Sequence, residues 1–228
     1  MVNTAASATA TGTPWSRARL RDALRLYLVT DQPSLKGRRL IDVVQSAVQG
    51  GVTCVQLREK QLCSRDFYAQ AVALMDLLAP LNIPLIINDR LDIALACGAH
   101  GVHLGQSDLP VAAARKLLPP GVFIGWSVET IEDVAHSATL PLDYLGVSPV
   151  FATPTKTDTV TPWGLEGLQR IRAATDLPLV AIGGIHLGNA AEVMRAGAHS
   201  LAVVSAICSA DDPRAASQQF RGLIDAHE

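Results

Sequence analysis

Gln56-Leu57-Arg58-Glu59-Lys60 sets one amide and two fixed cations within five residues, directly after the apolar run Val52 to Val55. Strand side chains alternate between faces, so Gln56, Arg58 and Lys60 share a face if the strand runs on through them. Removing a charge from water without a partner costs several kcal/mol. On that face the cluster calls for an anion. A charged loop with snorkelling side chains accommodates the same residues, so the choice between the two depends on what else gathers there.

Two carboxylates, Asp89 and Asp108, end or follow the apolar runs Pro84 to Ile87 and Gly101 to Leu104. Close carboxylates repel unless a cation or a proton lies between them. Hard oxygen donors without His or Cys beside them suit a single Mg²⁺, which commonly takes one or two carboxylates plus substrate phosphates. Each Asp also fits a helix N-cap. With Arg58, Lys60 and Lys156 on the same rim, carboxylates and cations together match a Mg²⁺-bound diphosphate. Gly183-Gly184 and Val204-Ser205 end two further runs, and glycine lets backbone amides approach an anion closely. They predict a second, monoanionic phosphate site, with two ordinary tight turns as the plainer reading. Thr153-Pro154-Thr155-Lys156-Thr157 offers hydroxyls and one cation in a long loop suited to a lid, and a plain surface loop is its alternative. His103, on an apolar strand, is read as structural, and Trp126 and Trp163 as packing residues.

The elements that must position these groups repeat eight times from Arg25 onward: an apolar run, a polar junction, then an amphipathic stretch. The runs are Leu26 to Val29, Val52 to Leu57, Pro84 to Ile87, Gly101 to Leu104, Val122 to Trp126, Tyr144 to Val147, Leu179 to Ile182 and Leu201 to Val204. Near-continuous apolar strands are buried on both faces, as in parallel sheets. Asp42 to Val48, Arg65 to Leu78 and Leu165 to Ala173 carry apolar residues at helical steps. Eight such units predict an α/β protein built as a single (β/α)8 TIM barrel. Residues 21–228 form the barrel in this reading, and residues 1–20 a short flexible extension. Active sites of such barrels lie at the C-terminal strand ends. Those ends carry Thr30-Asp31, Gln56, Arg58, Lys60, Asn88-Asp89, His103, Gln106, Asp108 and Ser127.

With 228 residues and an apolar share of 49% the chain suffices for one sizeable core. No run of about 18 apolar residues suggests a membrane span. A formal charge of −2 gives no global attraction to nucleic acid or anionic membranes. Cys54, Cys63, Cys97 and Cys208 show no disulfide or CxxC spacing, which points to a reducing, cytoplasmic compartment. Partners are therefore expected to be small phosphorylated molecules, with homo-oligomer formation left open.

As a set, these junctions resemble the thiamine phosphate synthase family from about Leu26 to the C-terminus. The resemblance is carried by Tyr27 to Asp31, Gln56 to Lys60, Asn88-Asp89-Arg90, Gly101 to Gln106 leading to Asp108, Ser127, Thr153 to Lys156, Ile182 to Ile185 and Val204-Ser205. The chain departs from the family at Phe151-Ala152-Thr153, where proline often precedes the first threonine. It departs again at Gln106-Ser107-Asp108, where an acidic residue often precedes the aspartate. The resemblance implies a transferase that joins a hydroxymethylpyrimidine diphosphate to a thiazole phosphate, releasing pyrophosphate. It implies that Gln56, Leu57, Arg58, Glu59, Lys60, Asn88, Ser127 and Lys156 bind the pyrimidine diphosphate, with Arg58, Lys60, Ser127 and Lys156 assisting the chemistry. Thr153, Pro154, Thr155, Gly184, Val204 and Ser205 would bind the thiazole phosphate, and Asp89 and Asp108 one Mg²⁺. The alternatives are a barrel that isomerises a thiazole phosphate, a sugar-phosphate isomerase or epimerase, and a non-catalytic sensor of thiamine precursors.

Overall fold

In the computed structural model of the chain, residues 17–153 and 161–227 are described. Eight parallel strands close into a barrel in sequence order: β1 (Leu26–Val29), β2 (Cys54–Leu57), β3 (Leu85–Asn88), β4 (Gly101–Leu104), β5 (Phe123–Val128), β6 (Tyr144–Val147), β7 (Leu179–Ile182) and β8 (Ser200–Val203). The seam is sealed by β1 pairing with β8, Tyr27 opposite Ala202. Helices α2 (Leu40–Gln49), α3 (Ser64–Leu78), α4 (Leu91–Cys97), α5 (Val111–Leu117), α6 (Ile131–Ser137), α7 (Gly164–Ala174) and α8 (Leu187–Arg195) follow β1 to β7. A short α9 (Ser205–Cys208) and α10 (Pro213–Asp225) follow β8. The expected (β/α)8 barrel is the architecture observed.

Period-two alternation divides the core in two. Leu26, Leu28, Val55, Leu57, Leu85 and Ile87 face outward and pack under the helices. Tyr27, Val29, Cys54, Ile86, Phe123 and Tyr144 belong to a separate cluster that fills the barrel interior. A preceding helix, α1 (Arg17–Leu24), adds Leu20 and Leu24 to that inner cluster. Both are almost fully buried, and burying each such side chain is worth about 1.5–3 kcal/mol. The barrel's packing thus begins inside the 1–20 segment assigned to the extension, because α1 closes the barrel floor. Of the 1–20 segment expected to be flexible, residues 1–16 lie outside the described residues.

Two strand details alter the sequence expectations. β2 stops at Leu57, so the shared-face argument for Gln56 does not extend to Arg58 and Lys60. β5 continues through Val128, which places Ser127 inside the strand and not after it. At the floor, Gly98-Ala99-His100 precedes β4 and Gly197-Ala198-His199 precedes β8. Each imidazole Nδ1 accepts the first backbone N–H of the adjoining strand, from Leu85 or Leu179, at 3.2 Å.

Candidate active site

A cavity of about 620 Å³ opens at the C-terminal strand ends. Its inner wall is made by the last inward position of successive strands: Val29, Gln56, Asn88, His103 and Ser127. Alternation aims these side chains at the axis, and closure of the barrel brings them together.

On one side of the mouth the two cations are already paired. Arg58 Nη1 lies 3.1 Å from Asp31 Oδ1, and Lys60 Nζ lies 2.5 Å from Asp89 Oδ2. Asp31 is itself fixed, since its other oxygen accepts from Ser34 Oγ at 2.7 Å. The Arg58 backbone N–H donates to Thr30 Oγ1 at 3.1 Å. The Glu59 carboxyl is pushed above its usual range by burial and by Asp31, with Arg58 partly offsetting the rise.

Neither aspartate of the expected metal pair caps a helix. Arg90 stands at the N-cap of α4 and Pro110 at that of α5. Asp89 instead adopts a left-handed backbone, φ +62°, while its N–H donates to the His103 carbonyl at 2.9 Å. That turn brings its carboxylate beside that of Asp108. Asp108 Oδ2 accepts the Gly105 N–H at 2.6 Å. Burial raises the Asp108 carboxyl above the ordinary range; the Gly105 amide pulls it back, the adjoining Asp89 pushes it further up, and Lys60 offsets part of that. Two convergent carboxylates that repel one another are a fitting donor set for a hard divalent cation. Among the described residues no group of three or more His, Cys, Asp or Glu could complete a protein cage. Such a pair leaves most of an octahedral shell to water and phosphate oxygens, as Mg²⁺ prefers. The lining also sets Asp31, Asp89, Asp108 and Glu129 against Arg58 and Lys60.

Across the cavity lie Thr153, Gly183, Gly184, His186, Val204 and Ser205. Gly184 has φ +65°, and a Cβ there would stand 2.8 Å from the Ala152 carbonyl and from Phe151 Cβ. Glycine is thus required by close packing on the loop after β6, beyond any approach of an anion. The Gly184 carbonyl accepts from Asn189 Nδ2 at 2.9 Å, which holds the turn. Ser205 opens α9, whose end is clasped to the loop after β1. Arg38 donates to the carbonyls of Cys208 and Ala210, Lys36 Nζ to that of Ser209 at 2.8 Å, and Ser209 Oγ to that of Ser34 at 2.9 Å.

The fold therefore gathers Gln56, Arg58, Lys60, Asn88, Asp89, Asp108, Ser127, Thr153, Gly184, Val204 and Ser205 around one cavity. The side chain of Leu57 faces the outer core, fully buried, and Glu59 stands beside Arg58 and Asp31 without lining the cavity. Pro154, Thr155 and Lys156, and with them the expected lid, lie outside the described residues. Trp126 is buried in the outer core and Trp163 donates to the Val128 carbonyl, so both pack as expected. The sequence motifs include Tyr27 and Asp31 without a role; Tyr27 lines the cavity and Asp31 holds Arg58. It also set aside His103, which the cavity exposes. Its position one alternation step from the end of β4, level with Asn88 across the pair, was the available signal.

Known proteins resemble this chain over most of its length. A family model described as thiamine monophosphate synthase matches residues 26–207. The chain is 74% identical over 204 residues to a thiamine-phosphate synthase of Albidiferax ferrireducens, spanning 90% of this chain and 93% of that protein. It is 51% identical over 204 residues to a thiamine-phosphate synthase of Vibrio campbellii, spanning 89% and 99%. The solved structure of a thiamine phosphate pyrophosphorylase from Pyrococcus furiosus superposes with a TM-score of 0.84 at 35% identity, covering 91% of this chain and 98% of that one.

Proposed function

Since the chain belongs to the thiamine monophosphate synthase family, we propose that it transfers a hydroxymethylpyrimidine group from its diphosphate to a thiazole phosphate, yielding thiamine monophosphate and pyrophosphate. The observation that carries this reading is the single cavity with two unlike corners. Asp89, Asp108, Arg58 and Lys60 gather on one side, and Gly184 and Ser205 on the other.

The reaction needs no protein nucleophile. The thiazole nitrogen forms a bond to the pyrimidine methylene carbon, and the carbon–oxygen bond to the diphosphate breaks, its electron pair leaving with pyrophosphate. The aminopyrimidine ring stabilises positive charge at that methylene, which favours early departure of the leaving group. Arg58, Lys60 and Lys156 then act on negative charge as it develops, the situation in which a fixed charge accelerates a reaction. Asp89 and Asp108 would hold Mg²⁺, which when bound neutralises diphosphate oxygens. Gln56 and Asn88 present amides to the pyrimidine, and Gly184, Val204 and Ser205 with Thr153 seat the thiazole phosphate. Holding both reactants in one cavity replaces a bimolecular encounter with a positioned one. The free cysteines, two of them buried, fit a reducing cytoplasm.

The test is pyrophosphate release by the purified protein with Mg²⁺, the pyrimidine diphosphate and the thiazole phosphate, each omitted in turn. Release accompanied by thiamine monophosphate, and lost on chelation or without the thiazole, is the expected result. Binding of either phosphate without product would overturn the reading in favour of a sensor.

A further inference from the structure

Five polar side chains form one continuous hydrogen-bonded chain across the barrel interior. Gln56 Nε2 donates to the Tyr27 hydroxyl at 2.8 Å. The Tyr27 and Tyr144 hydroxyls are 3.0 Å apart. Tyr144 Oη lies 3.0 Å from His103 Nδ1, and His103 Nε2 lies 2.9 Å from Ser127 Oγ. Both phenols are fully buried, and burial keeps them protonated.

Such a chain has a direction, because each hydroxyl has one proton to give. With Gln56 donating to the Tyr27 oxygen, the Tyr144 oxygen is the partner left for the buried Tyr27 proton. The Tyr144 proton goes to His103 Nδ1. The imidazole then carries its proton on Nε2 and donates it to Ser127 Oγ. What remains at the far end is the Ser127 hydroxyl proton, on a residue that lines the cavity.

The barrel makes room for this chain at its own expense. Glycine inside a strand weakens it and marks a close approach, and β5 and β6 each contain one beside the rings. A Cβ at Gly125 would stand 2.0 Å from Tyr144 Cζ, and one at Gly146 would stand 2.8 Å from His103 Cε1. Neither glycine has a left-handed backbone, so space for the rings is what these positions supply.

We propose that His103 is a positioning residue: by donating from Nε2 it turns the Ser127 hydroxyl proton toward the bound diphosphate substrate. The inference rests on the transfer reaction proposed above for what Ser127 meets, while the direction of the chain follows from Gln56 Nε2 donating at its head.

The experiment has two arms. Nitrogen NMR of the histidines in the ligand-free protein at neutral pH is expected to show His103 as the Nε2–H tautomer. An Nδ1–H tautomer, or a doubly protonated ring, overturns the proposal whatever the variants do. Turnover is then compared for His103→Gln, which keeps an N–H near the Nε2 position, and His103→Asn, whose shorter amide reaches only the Nδ1 position. His103→Asn should lose kcat by about 10²-fold, the cost of one misdirected donor, with a much smaller change in KM for the diphosphate. His103→Gln should restore most of that loss. Equal kcat in the two variants overturns the positioning role. Absence of product from the unaltered protein overturns the proposed reaction instead, and the tautomer still decides the chain's direction.

Discussion

The Lys60 ammonium grips the Asp89 carboxylate at 2.5 Å while the Asp89 backbone is held left-handed at φ +62°. A non-glycine residue in that region costs about 1–2 kcal/mol. The fold therefore keeps a strained residue where a helix would have accepted a relaxed cap, and what the strain gains is contact with Asp108.

Asp89→Gly should accordingly separate stability from activity. It relieves the backbone strain, so denaturant unfolding should show a gain of about 1 kcal/mol less the small worth of the exposed Lys60 pair. Pyrophosphate release should fall by roughly 10²-fold, as expected for losing a group that fixes the leaving charge. A variant that is less stable yet fully active would contradict both halves of the argument.

Lys156→Ala should lower turnover by roughly 10²–10³-fold if, as proposed, its charge acts on the departing pyrophosphate. Affinity for the thiazole phosphate should change little. Steady-state kinetics with each substrate varied in turn provide the check, and unaltered turnover would remove Lys156 from the mechanism.

Gly184→Ala meets two obstacles at once, a left-handed backbone and contacts of 2.8 Å to Ala152 and Phe151. The substitution should lower Tm and raise KM for the thiazole phosphate more than it lowers kcat, because the displaced loop bears Thr153. Unchanged KM with lowered kcat would place the thiazole phosphate elsewhere.

The barrel floor should respond to acid. Burial, with Arg172 and Arg21 nearby, lowers the His199 imidazole from 6.5 to about 4, and burial also lowers His100. In the unfolded chain both protonate near the ordinary value, so between pH 6.5 and about 4 the unfolded state binds more protons than the native one. Stability contributed by these neutral rings is full above that window and declines as pH falls through it. His199→Asn keeps an acceptor for the Leu179 N–H and cannot titrate. Its denaturation midpoint should fall less steeply between neutrality and pH about 5 than that of the unaltered chain; parallel slopes would show that His199 is not responsible.

Most of the site was legible because closed parallel barrels tie chemistry to strand ends, and alternation alone aims Gln56, Asn88 and Ser127 inward. Arg58 and Lys60 were found for a partly mistaken reason. Their strand ends at Leu57, and internal carboxylates, Asp31 and Asp89, hold them in place of a shared face. Those pairings bring together residues on different loops, which a linear pattern does not encode. The role of α1 was hidden because Arg21 and Asp22 stand between its apolar residues Leu20 and Leu24, and only the closed barrel has a floor for them to fill. Tyr27 and Tyr144 read as ordinary core aromatics, and nothing in their spacing reveals that their hydroxyls meet.

The β1–β8 seam and the Arg38 clasp on α9 join the first strand of the chain to the last. The cavity therefore has no partial form. During synthesis, the strands that position Gln56, Arg58, Asp89, Asp108 and Ser127 emerge before β7 and β8, whose ends bring Gly184, Val204 and Ser205 to the same cavity. A ribosome-tethered chain that stops short of Ser205 should be blind to both substrates, so competence would arrive abruptly, with the final unit and not by degrees.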